Sequence, residues 1–386
     1  MTHKKSIIFI WSRCGGGHRV AKDSLQQRLV QEYAEKGIEL DVSRTFDIMG
    51  EFFLGPIGNF CVHLWDKSQR QGKVKTQSCL VTLQKCADRL FFPIIYWKLV
   101  HLLLSLEAEP EYIVSTQPLC TLALLKALRF VNRKRGWNVR LHLYLTDMPT
   151  KKATHFLRSL RKVGSDPLLA PLLTVYSPPA ITETEDFWHR SCGMIEVITD
   201  RIFPIRKSFL QTERLKEKLH SRQLDLTISD CSYVIEKEAK VTFLMLGSQP
   251  SHQGVLDWVD ALIARAQTAK EKHFLFVYCG PNEQKKLLDA VVKRVPWAPE
   301  GLTIVPLQTQ AEENLALLMA RSNRTITRSG GSTSMELLHL FQSGAIFDPE
   351  TRETLIHDDG VSHWEAGNAL YLMQTIQAQY RKPSNI

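Results

Sequence analysis

The chain has 386 residues, 44% hydrophobic and 23% charged, which is enough apolar material for one large or two ordinary cores and excludes a disordered chain. Its formal net charge of +9 favours anionic partners: nucleic acid, an anionic membrane or a phosphorylated ligand. The eight cysteines are scattered, with no CxxC pair, which excludes a disulfide framework and a zinc-type site and points to a reducing compartment.

In chain order, "SIIFIW" (6–11) predicts a strand, and "RVAKDSLQQRLVQEYAEK" predicts a helix from about Arg19 to Lys36. The apolar run of "MTHKKSIIFIW" is short and leads straight into glycines, so a signal peptide is not expected. "IELDVSRTFD" (38–47) reads as the next strand. "LFFPIIYWKLVHLLL" (90–104) is interrupted by Pro93, Lys98 and His101 and falls short of the about 20 residues that span a bilayer. A helix that is buried, or partly turned to a membrane, is expected there. "YIVSTQ" (112–117), a helix through "LCTLALLKALRFVNRK", "VRLHLYLTD" (139–147) and "LLTVYS" (172–177) complete a first α/β series.

A second series runs from "KVTFLMLGS" (240–248) through "HFLFVYCG" (273–280), "GLTIVPL" (301–307) and "RTITRSG" (324–330), with helical patterns between them. The alternation predicts βαβ units and parallel sheets. The fold class expected is α/β, with two Rossmann-like domains facing a central cleft. Residues 1–200 form the first domain, 201–240 a charged connecting region, and 241–386 the second domain, ending in a final helix.

Three junctions place glycine between a strand and a helix: "SRCGGGHR" (12–19), "LMLGSQPSHQG" (244–254) and "ITRSGGSTSME" (326–336). Glycine is costly to order, so such runs mark sharp bends or close approach to a ligand. At a helix N-terminus the freed N–H groups suit an anion or a sugar. None is a G-x-G-x-x-G or Walker loop, which argues against a nicotinamide-linked oxidoreductase. His18 stands at the mouth of the first junction, where an imidazole suits a general base. Ser332 can serve as a helix N-cap or as part of a diphosphate cradle with Thr333. Ligands at the carboxyl ends of such strands point to a nucleotide-sugar site.

These residues resemble the GT-B glycosyltransferases that act on lipids. They are most similar to the monogalactosyldiacylglycerol synthase and diacylglycerol glucosyltransferase group, and more distantly to the peptidoglycan N-acetylglucosaminyltransferase. The resemblance runs discontinuously from about residue 6 to 372. "GGGH" (Gly15, Gly16, Gly17, His18) matches the acceptor-side loop, "STQP" (115–118) a strand-end motif, and "LTDMPTKKATHF" (145–156) a segment that implies Asp147 and His155. "YSPP" (176–179) resembles the end of a partner strand, and "FPIRKSF" (203–209) implies Arg206 at the donor diphosphate. "GSQPS" implies Gly247 and Ser248, and "VYCGPNEQKKLL" implies Asn282 near the donor base. "TRSGGSTSMELL" implies Gly330, Gly331, Ser332 and Thr333 at the diphosphate and Glu336 at the ribose. "WEAGN" (364–368) implies Glu365 and Asn368 at the donor. The chain departs from the family pattern at Phe156, Ile202, Leu246, Pro250 and Trp364.

The resemblance implies an enzyme that moves a hexose from a UDP-sugar to a lipid acceptor such as diacylglycerol, inverting and without a metal. Either His18 or Asp147 would be the base, with Arg206 and the 330–333 loop stabilising the leaving group. The UDP-sugar is a substrate, and no cofactor is expected. The partners implied are the UDP-sugar, a lipid acceptor and an anionic membrane surface, not nucleic acid, for a cytoplasmic protein peripheral to the membrane. The aromatics Phe91, Phe92, Tyr96 and Trp97 suit either a core or such a surface. Two other readings stand beside this one: a UDP-sugar epimerase or hydrolase on the same plan, and a catalytically impaired homologue that binds nucleotide sugars or membranes.

Overall fold

The computed structural model describes residues 4–14, 16–52, 55–150, 157–180, 183–184, 186–199, 204–221, 223–228, 231–267, 272–283, 285–358 and 362–385. Contacts group the chain into two compact units. One comprises Met1–Asp66, Lys75–Pro204 and Ser362–Gly367; the other comprises Lys67–Val74, Ile205–Val361 and Asn368–Ile386. Each is built on a parallel sheet with helices, so the molecule is an α/β protein with two Rossmann-like halves.

In the first unit the order is β1 (Lys4–Trp11), α1 (Gly16–Glu35), β2 (Glu39–Asp41), β3 (Thr45–Asp47), α2 (Pro56–Arg70), α3 (Val74–Leu90) and α4 (Phe92–Leu104). Then come β4 (Tyr112–Ser115), α5 (Thr121–Arg135), β5 (Leu141–Tyr144), α6 (Leu157–Gly164), β6 (Leu173–Ser177), α7 (Phe187–Cys192) and β7 (Glu196–Thr199). The strands lie in the order β2–β1–β4–β5–β6–β7, with β3 also pairing β1, and all pairings are parallel. Ile7, Ile8, Phe9 and Ile10 are buried on both faces of β1, as a strand covered by helices on each side requires.

Two local features differ from expectation. The stretch 38–47 forms two short strands rather than one, because the Asp41 carboxylate accepts from Ser43 N at 2.9 Å and turns the chain between them. Helix α1 starts at Gly16, three residues before Arg19. Helix α4 buries Ile95, Leu99, Val100 and Leu103 along one stripe, the spacing of a helix lying on a core. Its opposite side carries exposed Ile94 and Trp97.

From Ile205 the second unit carries α8 (Lys207–Leu210) and α9 (Thr212–His220), followed by the antiparallel hairpin of β8 (Gln223–Ile228) and β9 (Cys231–Glu236). The stretch 201–240, expected as a connecting region, therefore carries helices and a hairpin, and from Ile205 onward it groups with this unit. Next come β10 (Lys240–Met245), α10 (His252–Ala266), β11 (His273–Tyr278), α11 (Lys285–Val292), β12 (Leu302–Leu307) and α12 (Glu312–Arg321). The chain closes with β13 (Arg324–Thr327), α13 (Gly331–Gln342), β14 (Glu353–His357), α14 (Ala366–Ile376) and β15 (Gln379–Arg381). The parallel sheet is ordered β12–β11–β10–β13–β14–β15, over a core centred on the fully buried Trp258 of α10.

Both sheets share one topological property. The chain leaves β1 to one side for β2 and β3, then returns on the other side as β4. It leaves β10 for β11 and β12, then returns on the other side as β13. At such switch points the loops diverge at the carboxyl ends of the strands and open a crevice.

Candidate functional site

The first switch point lies between the loop after β1 and the loop after β4. His18, in the first turn of α1, donates from Nδ1 to the Thr116 carbonyl at 2.6 Å, while Thr116 Oγ1 donates to the His18 carbonyl at 3.1 Å. These two bonds tie the glycine junction to the end of β4. With its proton on Nδ1, the neutral ring carries its lone pair on Nε2. Protein atoms crowd the imidazole, and burial pushes it down to about 4, against the opposing pull of the Thr116 carbonyl. At neutral pH His18 is an unprotonated base.

The loop itself is braced from below. Asp47, buried at the end of β3, takes Arg13 Nε on Oδ2 and accepts from the N–H groups of Met49 and Gly50, both at 3.2 Å. Those residues form a π-helical turn, Ile48–Phe52, a form common beside functional sites. A side chain at Gly50 would meet the Arg13 guanidinium and the Asp47 carboxylate, so glycine there lets this pair lie close against the turn.

His18 borders a cavity of about 210 Å³ in this unit, together with Thr146 and Asp147 from the loop after β5. The rest of its wall is mostly apolar, including Ile57, Leu83, Phe91 and Trp364. Trp364 stacks on Trp65 with ring centroids 5.8 Å apart. Cys14 also lines the cavity; burial pushes its thiol up to about 12, which keeps it protonated and removes it as a nucleophile. Two lining residues, Ile57 at 45% and Leu83 at 57% exposure, also belong to the outer surface of α2 and α3. The same helices and α4 also carry exposed Phe60, Leu90, Ile94 and Trp97.

The second switch point has a different character. Gly247, after β10, adopts a left-handed φ of +83°, and the Arg328 guanidinium packs against its α-carbon, with Nη2 3.6 Å from where a Cβ would stand. Ser329 is also left-handed, at φ 65°, and its carbonyl accepts from Asn368 Nδ2 at 3.1 Å. Gly330 then caps α13, so the N-cap is this glycine rather than Ser332. Gly331 opens the helix, with Ser332 and Thr333 buried in its first turn. The N-cap glycine brings no side chain to that end, where the helix dipole and the first-turn N–H groups favour an anion. Asn282, in the loop after β11, accepts from Thr309 N on Oδ1 at 3.2 Å and joins the loops that follow β11 and β12.

Arg206 and Glu336 meet directly. Arg206 Nε donates to Glu336 Oε1 at 2.7 Å and Nη2 to Oε2 at 2.5 Å, while Glu336 is wholly buried in α13. Burial works against the Arg206 charge, and the Glu336 carboxylate outweighs it, holding the guanidinium above its ordinary range. A bidentate pair of this kind fixes the chain entering α8 against α13.

Of the expected site residues, His18, Asp147, Gly16 and Gly17 fall at the first switch point. Gly247, Ser248, Gly330, Gly331, Ser332, Thr333 and Asn368 gather at the second. Glu365 is buried and groups with the first unit, next to Trp364, whereas Asn368 groups with the second. Gly15 and His155 lie outside the described residues. Arg328 was not singled out from sequence; its position just before "SGGST" was the available signal. Among the described residues no group of three His, Cys, Asp or Glu side chains is arranged to hold a metal, and no helix is long and apolar enough to cross a membrane.

No family model matches the chain, and no curated protein matches it. Solved structures do resemble it. MurG of Acinetobacter baumannii is 12% identical, with 99% of this chain and 87% of that one covered, at a TM-score of 0.48. UGT89C1 of Arabidopsis thaliana, complexed with UDP-L-rhamnose, is 11% identical over 99% and 86% of the two chains, at 0.49. The UDP-GlcNAc 2-epimerase of Neisseria meningitidis, bound to UDP-GlcNAc, is 12% identical over 98% and 95%, at 0.48.

Proposed function

We propose that the protein is a GT-B glycosyltransferase that moves a hexose from a UDP-sugar to a lipid hydroxyl such as that of diacylglycerol, with inversion and without a metal. The observation that carries this reading is the cavity at the first switch point: mostly apolar walls, with Ile57 and Leu83 of the wall exposed, beside a neutral histidine held in one tautomer. Such a cavity suits a lipid acceptor better than water or a free sugar.

In this reading His18 Nε2 takes the proton of the acceptor hydroxyl as its oxygen attacks the anomeric carbon. The bond from that carbon to the UDP oxygen breaks, and its electron pair leaves on the β-phosphate. The second unit holds the donor. Arg328 and the N–H groups at the start of α13 meet the charge that develops on the diphosphate. Asp147 borders the same cavity and orients the acceptor. The exposed side chains of α2, α3 and α4, with Lys75, Arg89 and Lys98 in the last two helices, suit a peripheral protein on an anionic bilayer.

The test is transfer of label from a panel of UDP-sugars into lipid extracted from anionic vesicles carrying diacylglycerol. The reading predicts labelled glycolipid that depends on the acceptor. UDP released equally without vesicles would instead identify a hydrolase or epimerase. UDP binding with no turnover would identify a binding protein.

A further inference from the structure

A second cavity, of about 690 Å³, lies within the second unit. It is lined by Arg265, Arg324, Arg352 and Arg381, with Glu350 and Glu353 as its carboxylates. It is separate from the glycine junctions. Arg324 is the first residue of β13 and Arg328 follows its last, so four residues of strand, about 13 Å, divide them. Sugar transfer as proposed above uses none of these groups.

The cavity is a built site rather than a chance gathering of surface charge. Arg352 is locked in place: Nη1 donates to the Ser322 carbonyl at 2.7 Å, and Nη2 to the Met319 carbonyl and Thr325 Oγ1, each at 2.7 Å. The face of Phe341 lies 5.5 Å from its guanidinium. None of these partners is a carboxylate. Its Nε, and Oγ1 of the neighbouring Thr354, are buried without a hydrogen-bond partner among the described residues. A buried charge and buried donors left in this state are costly unless something completes them. Burial pushes Arg352 down to about 9, the cost that an anion would relieve. The surrounding field is positive: burial first, then Arg324, Arg265 and Lys240, push nearby His273 down to about 4.

We propose that this cavity binds a small, water-soluble phosphomonoester. Among the described residues of the lining, four guanidinium groups stand against two carboxylates. Glu353 already pairs with Arg324 at 2.6 Å, so Arg265, Arg352 and Arg381 face Glu350 alone, and the excess of two positive charges matches a doubly charged phosphate. Guanidinium forks suit phosphate oxygens better than a point charge does. Thr354, Gln377 and Gln379 add hydroxyl and amide groups to the wall, as a ligand with hydroxyls beside its phosphate requires. The volume is that of an ordinary small-molecule site.

The experiment is calorimetric titration of the full chain, at low ionic strength and with saturating UDP, using inorganic phosphate and glucose 6-phosphate as probes and glucose as the control. Saturable binding of both phosphates at one site is expected, with none for glucose. Arg265 and Arg381 are exposed, so Arg265→Glu and Arg381→Glu leave the fold intact, as their urea midpoints would verify. Each is expected to weaken binding at least tenfold. Absence of phosphate binding in the wild type would overturn the proposal. So would binding that UDP displaces, or binding that both charge reversals leave unchanged. Because UDP occupies the other site, failure here is distinguishable from failure of the transferase reading.

Discussion

The two switch points share a topology and differ in almost everything placed on it. Each lies where the chain returns to the far side of its first strand, and each carries a glycine junction there. The first is walled by Ile57, Leu83, Phe91 and Trp364 and holds one neutral base. The second presents Arg328, a left-handed Gly247 and Ser329, and a helix end opened by glycine. An apolar wall lowers the cost of holding a lipid and keeps an imidazole unprotonated. Backbone N–H groups and a guanidinium offer a lipid no apolar wall, but they stabilise anions. The topology supplies the crevice, and the side chains decide which kind of ligand suits it: apolar at the first, anionic at the second.

The largest effect expected comes from the base. His18→Ala should lower kcat by about 10²- to 10⁴-fold, the usual weight of a positioned general base, while UDP affinity stays at the wild-type level. Equal loss of both would show that the two crevices do not divide the work.

Next is the buried pair. Glu336→Ala leaves the Arg206 charge without its partner, at a cost of about 3–5 kcal/mol, to be read from urea denaturation. The double variant Arg206→Met with Glu336→Leu should recover most of that loss. If the single variant proves neutral in stability but loses UDP, Glu336 is a ligand contact rather than a clamp.

Acid sharpens the contrast through histidines. Burial pushes His18, His142 and His273 each down to about 4, with Arg140 adding to the effect on His142. The unfolded chain takes protons on these groups near 6.5, the folded chain only near 4. Their contribution is therefore complete above about pH 6.5 and is lost as pH falls toward 4, with at most about 3 kcal/mol from His18. Denaturation midpoints between pH 4 and 8 would show it. The acid limb of kcat/KM should lie below about pH 5, not at the ordinary histidine value.

Arg328→Ala should weaken UDP by about ten- to a hundredfold, the loss of about 1.5–3 kcal/mol for a charged hydrogen bond. Its effect on the first cavity should be nil. Smallest is the outer face: Leu90→Ser or Trp97→Ala should reduce co-sedimentation with anionic vesicles by about tenfold, from about 1.5 kcal/mol of side-chain burial, without changing UDP affinity.

Much of this was legible in sequence. Strands such as "SIIFIW" and "KVTFLML" announce themselves by unbroken apolar runs, and the glycines after them announce the junctions. The division of 38–47 into two strands was not legible, because an Asp41 turn outweighs the β-forming residues on either side. The hairpin at 223–236 was hidden by its charge; its alternate residues Leu224, Leu226 and Ile228 are the buried ones. At the site, His18 could be named from its position, but its tautomer depends on a carbonyl 98 residues away. Trp364 is a departure from the family pattern, and it stacks on Trp65 beside the cavity that His18 borders. Contacts between segments remote in sequence leave no local pattern to read.

One crossed measurement tests the division of labour most directly: UDP affinity and glycolipid formation, each on His18→Ala and Arg328→Ala. The account predicts that His18→Ala binds UDP normally and transfers almost nothing. Arg328→Ala should bind UDP weakly and regain transfer as donor is raised. If His18→Ala transfers at the wild-type rate, or if it loses UDP as Arg328→Ala does, the account is contradicted.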